Sequence, residues 1–269
     1  MSDFISFKSS SPAGDAISMM PSLRQVYRQT GKKCIFYQAL NVIGQGDIHV
    51  PQPFTNEQGQ SIMMGEQTFR NLVPLLKSQE YIEDVLEYKG EKVDYDMDEI
   101  RFKTFTNQSM GSLHRAAWYA FPEMACDLSE PSIELHTQEK DIRFFDKVIV
   151  NFTARFRNPW INYFFLKEHQ HRLLFAGLPK ERDEFCKQWG LDIFLFEFQD
   201  FYELALAINS CKFFMSNQTG FFFISENLKS KRLLETSPQL PHVIPMGKDG
   251  FDYYHQQAAE LYFNKLINE

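Results

Sequence analysis

Between Phe145 and Glu235, short apolar runs alternate with segments of helical spacing, and few folds accept that rhythm. The runs at 147–152, 172–176, 193–196, 212–215 and 232–235 read as strands, and 160–166, 180–188, 200–209 and 220–228 as the helices between them. Strands buried on both faces are apolar along their whole length, and short connections through helices force them to run the same way. The segment therefore predicts a parallel, doubly wound sheet.

The leading part carries the same unit once more. Residues 3–8 form a strand, Pro21 stands where a helix begins, and Leu23, Val26 and Tyr27 share a face before Gly31 stops it. Cys34 to Tyr37 is the next strand, joined by a right-handed crossover. Residues 41–61 read as loop with a short strand at 47–50, and 66–78 as a helix that Pro74 ends or kinks. The acid-rich stretch 82–103 reads as a solvated segment. A calcium loop around Asp94, Asp96, Asp98 and Glu99 would lack the required glycine and terminal glutamate. Residues 112–121 form an amphipathic helix rich in aromatics. The expected architecture is two α/β lobes, 1–145 and 146–250. A last helix at 252–267, in the segment 251–269, follows the Pro238, Pro241, Pro245 loop and crosses back onto the leading lobe.

Two loops link this architecture to a ligand. Ser10-Ser11-Pro12-Ala13-Gly14-Asp15 follows the first strand, and Ser216-Asn217-Gln218-Thr219-Gly220 follows the run Cys211 to Met215. Each leads into a helix, so backbone N–H groups are exposed at a helix N-terminus, where anions are favoured. The net charge of −7 argues against a nucleic-acid partner, leaving local dipoles and a few cations to hold a small anion. The four cysteines, Cys34, Cys126, Cys186 and Cys211, are widely spaced with no zinc-like pattern and read as buried free thiols. With no apolar stretch near membrane-spanning length and no signal pattern, a soluble cytoplasmic protein is expected.

The same residues resemble a known family. Gly14-Asp15, five residues, then Pro21-Ser22-Leu23 is similar to the opening of the ADP-heptose:lipopolysaccharide heptosyltransferases, as is the serine run before it. Asn217 to Gly220 with Ile224 resembles their Asn-Asp-Ser/Thr-Gly block, and Phe175-Ala176-Gly177-Leu178-Pro179-Lys180-Glu181 their glycine turn followed by an acid. The likeness covers the first 40 residues and most of 147–236. Gln218 stands where the family has an acid, and Phe223 near its histidine. The resemblance implies a GT-B fold of two Rossmann-like lobes facing across a cleft. It also implies metal-independent, inverting transfer from a nucleotide-diphosphate sugar, with no further cofactor. A glycan or glycolipid would be the acceptor, and membrane contact would be peripheral at most.

Inverting transfer needs a base for the acceptor hydroxyl and dipolar or positive stabilisation of the leaving diphosphate. The resemblance makes Asp15 the base, beside Gly14; local sequence alone makes Asp15 a helix N-cap. Asn217, Gln218, Thr219 and Gly220 suit a diphosphate, or form a plain capped turn. One of Arg155 and Arg157 meets phosphate by family analogy. Gly177 makes its turn, and Glu181 either binds ribose hydroxyls or complements a helix dipole. Lys8 faces ligand or is structural, and Glu197 with Phe198 lies where nucleotide bases dock. His114 and Arg115 read as a helix-surface pair, while Phe164-Phe165 and Phe221-Phe222-Phe223 read as core. A glycosyltransferase is the first reading. A non-catalytic nucleotide- or glycan-binding protein is the second, and a sugar-nucleotide epimerase, which would want more carboxylates and histidines, the third.

Overall fold

The computed structural model describes residues 3–44, 54–100, 112–137 and 139–269. They form two compact units. The leading one is the chain up to Asp127 with Ser132–His136 and Asp200–Tyr202; the trailing one is Leu128–Pro131, Thr137–Gln199 and Glu203–Glu269. The strand expected at 47–50 lies outside the described residues.

In the leading unit, strands β1 (Ile5–Ser9), β2 (Cys34–Gln38), β3 (Ile82–Glu87) and β4 (Tyr95–Asp96) form a parallel sheet in the order β3-β2-β1-β4. The direction in which successive strands are added to the sheet reverses between β1 and β4, which is where open α/β sheets bind ligands. Helix α1 (Ala13–Ser18) follows the first loop, and α2 (Met20–Thr30) stops at Gly31, whose φ of 68° and N–H to Tyr27 O close the last turn. Helix α3 (Glu66–Lys77) runs through Pro74 instead of ending there. The stretch read as solvated is a correction: it holds β3 and β4. Their acids obscured them. Glu83 and Glu87 point outward from an edge strand, while Asp94 accepts from Ser6 N and Oγ, both at 2.8 Å. Residues 112–121 are a short 3-10 turn followed by α4 (Ala116–Ala120).

The trailing unit holds six parallel strands: β5 (Val148–Asn151), β6 (Leu173–Ala176), β7 (Phe194–Phe196), β8 (Phe213–Ser216), β9 (Arg232–Glu235) and β10 (Gly250–Tyr253). Their order is β10-β9-β8-β5-β6-β7, so the reversal here falls between β5 and β8. Helices α5 (Pro179–Trp189), α6 (Phe201–Ser210), α7 (Gly220–Leu228) and α8 (Gln256–Asn268) complete it. The parallel doubly wound pattern read from the sequence is present, with β10 as an added edge strand. The helix expected at 160–166 is instead a 3-10 run at Phe164–Arg172, whose one buried side chain, Leu166, cannot anchor an amphipathic stripe. Phe164 is 59% exposed, not core, whereas Phe222 and Phe223 are buried as expected. The last helix buries Ala259, Phe263, Leu266 and Ile267 in the core of the trailing unit, together with Phe213, Leu233 and Tyr253. No disulfide forms, and burial pushes the Cys34 and Cys211 thiols up to about 12. Among the described residues, no helix is long and apolar enough to cross a membrane.

Away from the loops that follow the strands, α7 is fastened to β9 by charge. Glu226 on α7 accepts from Arg232 Nε at 2.5 Å and from Lys229 Nζ, while Arg232 also donates to the carbonyls of Ser230, Lys248 and Met246. Glu226 and Arg232 are 0% exposed. A buried cation stripped of its anion is costly, so Glu226→Ala is expected to remove roughly 3–5 kcal/mol from the trailing unit. Urea unfolding of the full chain measures it.

Candidate functional site

All strands of the trailing sheet run the same way, so the loops after them gather at one edge. At the end of β8 the backbone turns into α7. Thr219 is the N-cap, with φ −113° and ψ 165°, and its hydroxyl accepts from Phe222 N at 3.4 Å. The helix that starts there is nine residues long, and the first N–H groups of a helix have no carbonyl within it to bond.

The two residues before the cap are buried and grip the loops on either side. Asn217 Oδ1 accepts from Thr153 N at 3.1 Å, and its Nδ2 donates to Thr153 O at 3.2 Å and to Arg155 O. Gln218 Oε1 accepts from Ser237 N at 2.9 Å, and its Nε2 donates to Leu240 O at 2.9 Å and lies 3.3 Å from His242 Nδ1. Both were expected to meet substrate; their amides are bonded instead to the protein's own loops.

The loop after β5 distinguishes the two arginines. Arg157 Nε donates to Glu235 at 3.0 and 3.3 Å, and its guanidinium lies 5.0 Å from the Phe152 ring, 5.4 Å from Tyr163 and 5.8 Å from Phe185. Burial lowers its pKa, but Glu235 and the two tyrosines prevail, leaving it raised. Glu235 also accepts from Asn158 N at 2.5 Å and from Tyr163 Oη, which lies 2.6 Å from Tyr253 Oη. Burial drives both phenols well above their ordinary range. Arg157 is thus part of a buried network. Arg155, half-buried over the Phe156 ring at 5.5 Å, acts electrostatically on Glu181.

Gly177 follows β6 with φ +156°, and a Cβ there would sit 2.8 Å from Phe175, 3.0 Å from Asn151 Nδ2 and 3.2 Å from Glu181 Oε2. Only glycine tolerates that approach. Glu181 lies in the first turn of α5, and its Oε2 accepts from Leu178 N at 3.1 Å. Burial raises its pKa, against the Leu178 N–H and Arg155. Oε1 has no hydrogen-bond partner among the described residues. Glu197 is exposed after β7, and Phe198 beside it meets Phe221 at 5.6 Å.

Three further groups escaped the sequence reading. Asn151 Oδ1, Ser216 Oγ and Ser237 Oγ are buried with no hydrogen-bond partner among the described residues. Asn151 and Ser216 are register partners at the ends of β5 and β8, and Ser237 follows β9. Buried polar groups are seldom left unpaired, and a row of them at a switch point is where a polar ligand belongs. Lone serines carry no sequence signal, so only strand order exposes the row.

In the leading unit, Asp15 is not the N-cap. That position is Pro12, and Asp15 lies within the first turn of α1, with Gly14 before it, both half-buried. Lys8 is ion-paired within the unit: its ammonium lies 2.5 Å from Asp98 and 3.1 Å from Asp96. Burial pulls Lys8 down, but the two carboxylates outweigh it, leaving its pKa raised. His114, expected on a surface, is 2% exposed, with Nδ1 3.4 Å from Ser112 Oγ. Arg115 is exposed 6.0 Å from the Trp118 ring. Among the described residues, no group of three or more His, Cys, Asp or Glu is arranged to hold a metal.

No protein-family model and no curated protein matches the sequence. Solved structures do match. Glycosyl transferase family 9 from Veillonella parvula has a TM-score of 0.59 at 10% identity, over 98% of this chain and 89% of that one. E. coli heptosyltransferase WaaC with ADP-2-deoxy-2-fluoro heptose gives 0.59 at 11%, over 98% and 99%. E. coli ADP-heptose lps heptosyltransferase II gives 0.52 at 14%, over 98% of each chain. The fold is that of the heptosyltransferases. The GT-B-like α/β fold that the resemblance implies is therefore the one present.

Asp98 provides a pH test of the leading unit. Burial pushes its carboxyl up, but Lys8 and the Ser10 N–H hold it below the ordinary value. A depressed carboxylate contributes stability above its unfolded pKa and loses it as pH falls through the folded one. The stability of the leading unit should therefore drop below about pH 4, and Asp98→Asn should flatten that slope. Unfolding curves across a pH series measure both.

Proposed function

We propose that this protein is an inverting, metal-independent glycosyltransferase that moves a sugar from a nucleotide-diphosphate sugar to a hydroxyl of a glycan or glycolipid in the cytoplasm. The observation that carries the reading is the β5–β8 switch point. There a capped helix N-terminus, suited to an anion, shares the sheet edge with three buried polar atoms, Asn151 Oδ1, Ser216 Oγ and Ser237 Oγ, that have no hydrogen-bond partner among the described residues. An anion next to hydroxyl-binding groups is the chemistry of a sugar diphosphate. The fold shared with structures solved with ADP or an ADP-heptose analogue supports the same donor class.

On this reading the trailing unit binds the donor. The diphosphate lies on Thr219 Oγ and the Gly220 N–H, and of the two arginines Arg155 adds a charged contact. Glu181 Oε1 accepts a ribose hydroxyl, Gly177 lets the backbone approach it closely, and Glu197 with Phe198 borders the base. Asp15 of the leading unit takes the proton from the acceptor hydroxyl as its oxygen attacks the anomeric carbon. The bond to the diphosphate oxygen breaks with inversion, and helix dipole and arginine stabilise the departing charge. Phe223, near the family's histidine position, is 3% exposed on α7 and takes no part.

Thermal shift across ADP-, GDP-, UDP- and CMP-sugars identifies the donor. Asp15→Ala is expected to lower turnover by roughly 10²–10⁴-fold while donor affinity is kept, the range for a lost general base. Unchanged turnover rejects the assignment, and donor binding with no turnover in the wild type returns the protein to the binding-only class. Arg155→Ala should raise the donor Kd about tenfold with the melting temperature kept. Arg157→Ala should instead melt the trailing unit early, because it strands buried Glu235.

A further inference from the structure

The geometry points to Gln218 as a positioning residue. We propose that its carboxamide holds the loop 236–242 against the N-terminus of α7, so that the wall formed by Ser237 and His242 stands in place before a donor arrives. The inference rests on the reading of that N-terminus as the diphosphate site and gives the residue before the cap a role of its own.

Loop 236–242 carries Pro238 and Pro241 and has no helix or strand of its own, so side chains must fix it. Gln218, 5% exposed, does so from both ends of one amide. It accepts from Ser237 N and donates to Leu240 O, each at 2.9 Å. A carboxylate of the same shape can accept the first bond but cannot donate the second, and it would face the Leu240 carbonyl oxygen at that distance. An acid, which the family resemblance leads one to expect here, is thus incompatible with this loop. The amide is fitted to the loop and is not a weakened catalytic acid.

Asn217 does the matching work on the other side, bonding Thr153 and Arg155 of the loop after β5. That loop contains Phe156 at φ 53°, a left-handed conformation that an aromatic residue keeps only when its surroundings hold it. Its ring meets the His242 ring at 6.0 Å. Two adjacent carboxamides therefore draw two touching loops onto one helix N-terminus. Arg155 comes from one loop, and from the other comes the Ser237 hydroxyl, which has no hydrogen-bond partner among the described residues.

Gln218→Glu in the full-length protein tests the proposal by two readouts. Amide hydrogen exchange at Ser237 is expected to quicken by about tenfold or more, since its acceptor is no longer held in place. Exchange equal to wild type overturns the proposal. Calorimetric titration with ADP, GDP and UDP is expected to show a Kd about tenfold higher for whichever one the wild type binds, with kcat at saturating donor much less affected. An unchanged Kd also overturns it. Phe263→Leu, whose ring packs on Phe165, His169 and Phe213, loosens the same unit's core and serves as the comparison. It should lower the melting temperature and leave Kd within about twofold. If it raises Kd as much as Gln218→Glu does, the role is merely structural and the proposal falls. If the wild type binds none of the three nucleotides, the nucleotide reading fails, and the exchange comparison alone decides whether Gln218 holds the loop.

Discussion

A parallel strand hands its backbone hydrogen bonds to its neighbours until it ends, and beyond that point something else must hold the chain. At the end of β8 that task falls to the carboxamide of Asn217. It is fully buried, and it bonds both backbone groups of Thr153 and the carbonyl of Arg155. In effect the β5–β8 ladder is continued by a side chain after the two backbones have diverged toward different elements. Without that continuation, α7 would begin beside a loop free to take any conformation, and the helix N-terminus would have no fixed surroundings. The candidate site depends on this bond set more than on any residue able to touch a ligand.

The network around Glu235 fixes the far end of the same loop. Its carboxylate collects Arg157, the Asn158 N–H and the Tyr163 hydroxyl, with Tyr253 on β10 beyond. Burying a carboxylate is expensive, and complete hydrogen bonding is what makes it tolerable. The outcome is a loop pinned at residues 153–155 and again at 157–158, with Phe156 in a strained conformation between the pins. Strain held by over-determined surroundings is a recurrent mark of binding loops. Arg155 gains a fixed backbone, while its side chain is half-buried.

How much of this was legible in the sequence varied with burial. Central strands such as Val148–Asn151 and Phe213–Ser216, buried along their whole length, announce themselves as unbroken apolar runs. Of the edge strands only β7 does, through its run of aromatics and Leu195: β3 sets Glu83, Asp84 and Glu87 around Val85 and Leu86, β4 is two residues long, and β10 mixes Gly250 and Asp252 with aromatics. The site divides along the same line. Gly177, Thr219 and Gly220 were visible because turn and cap chemistry is local. The partnership of Arg157 with Glu235, 78 residues apart, leaves no local trace, so both arginines looked alike. The two readings of Lys8 stay open in the sequence for the same reason, since its partners Asp96 and Asp98 lie in a stretch whose acidity suggests solvent.

The protein is acidic overall, so any anion it binds must be held against its own long-range field. Short-range dipoles can do this, because they act at contact distance and are little screened there, whereas the repulsion of distant carboxylates fades within a Debye length of about 8–10 Å. On that account a neutral amide just before the cap is a better neighbour for a doubly charged group than an acid would be. It contributes no repulsion, and its hydrogen bonds go into holding the loop. The Gln218 amide places no charge beside the helix N-terminus, and its Nε2 supplies the donor that the Leu240 carbonyl accepts.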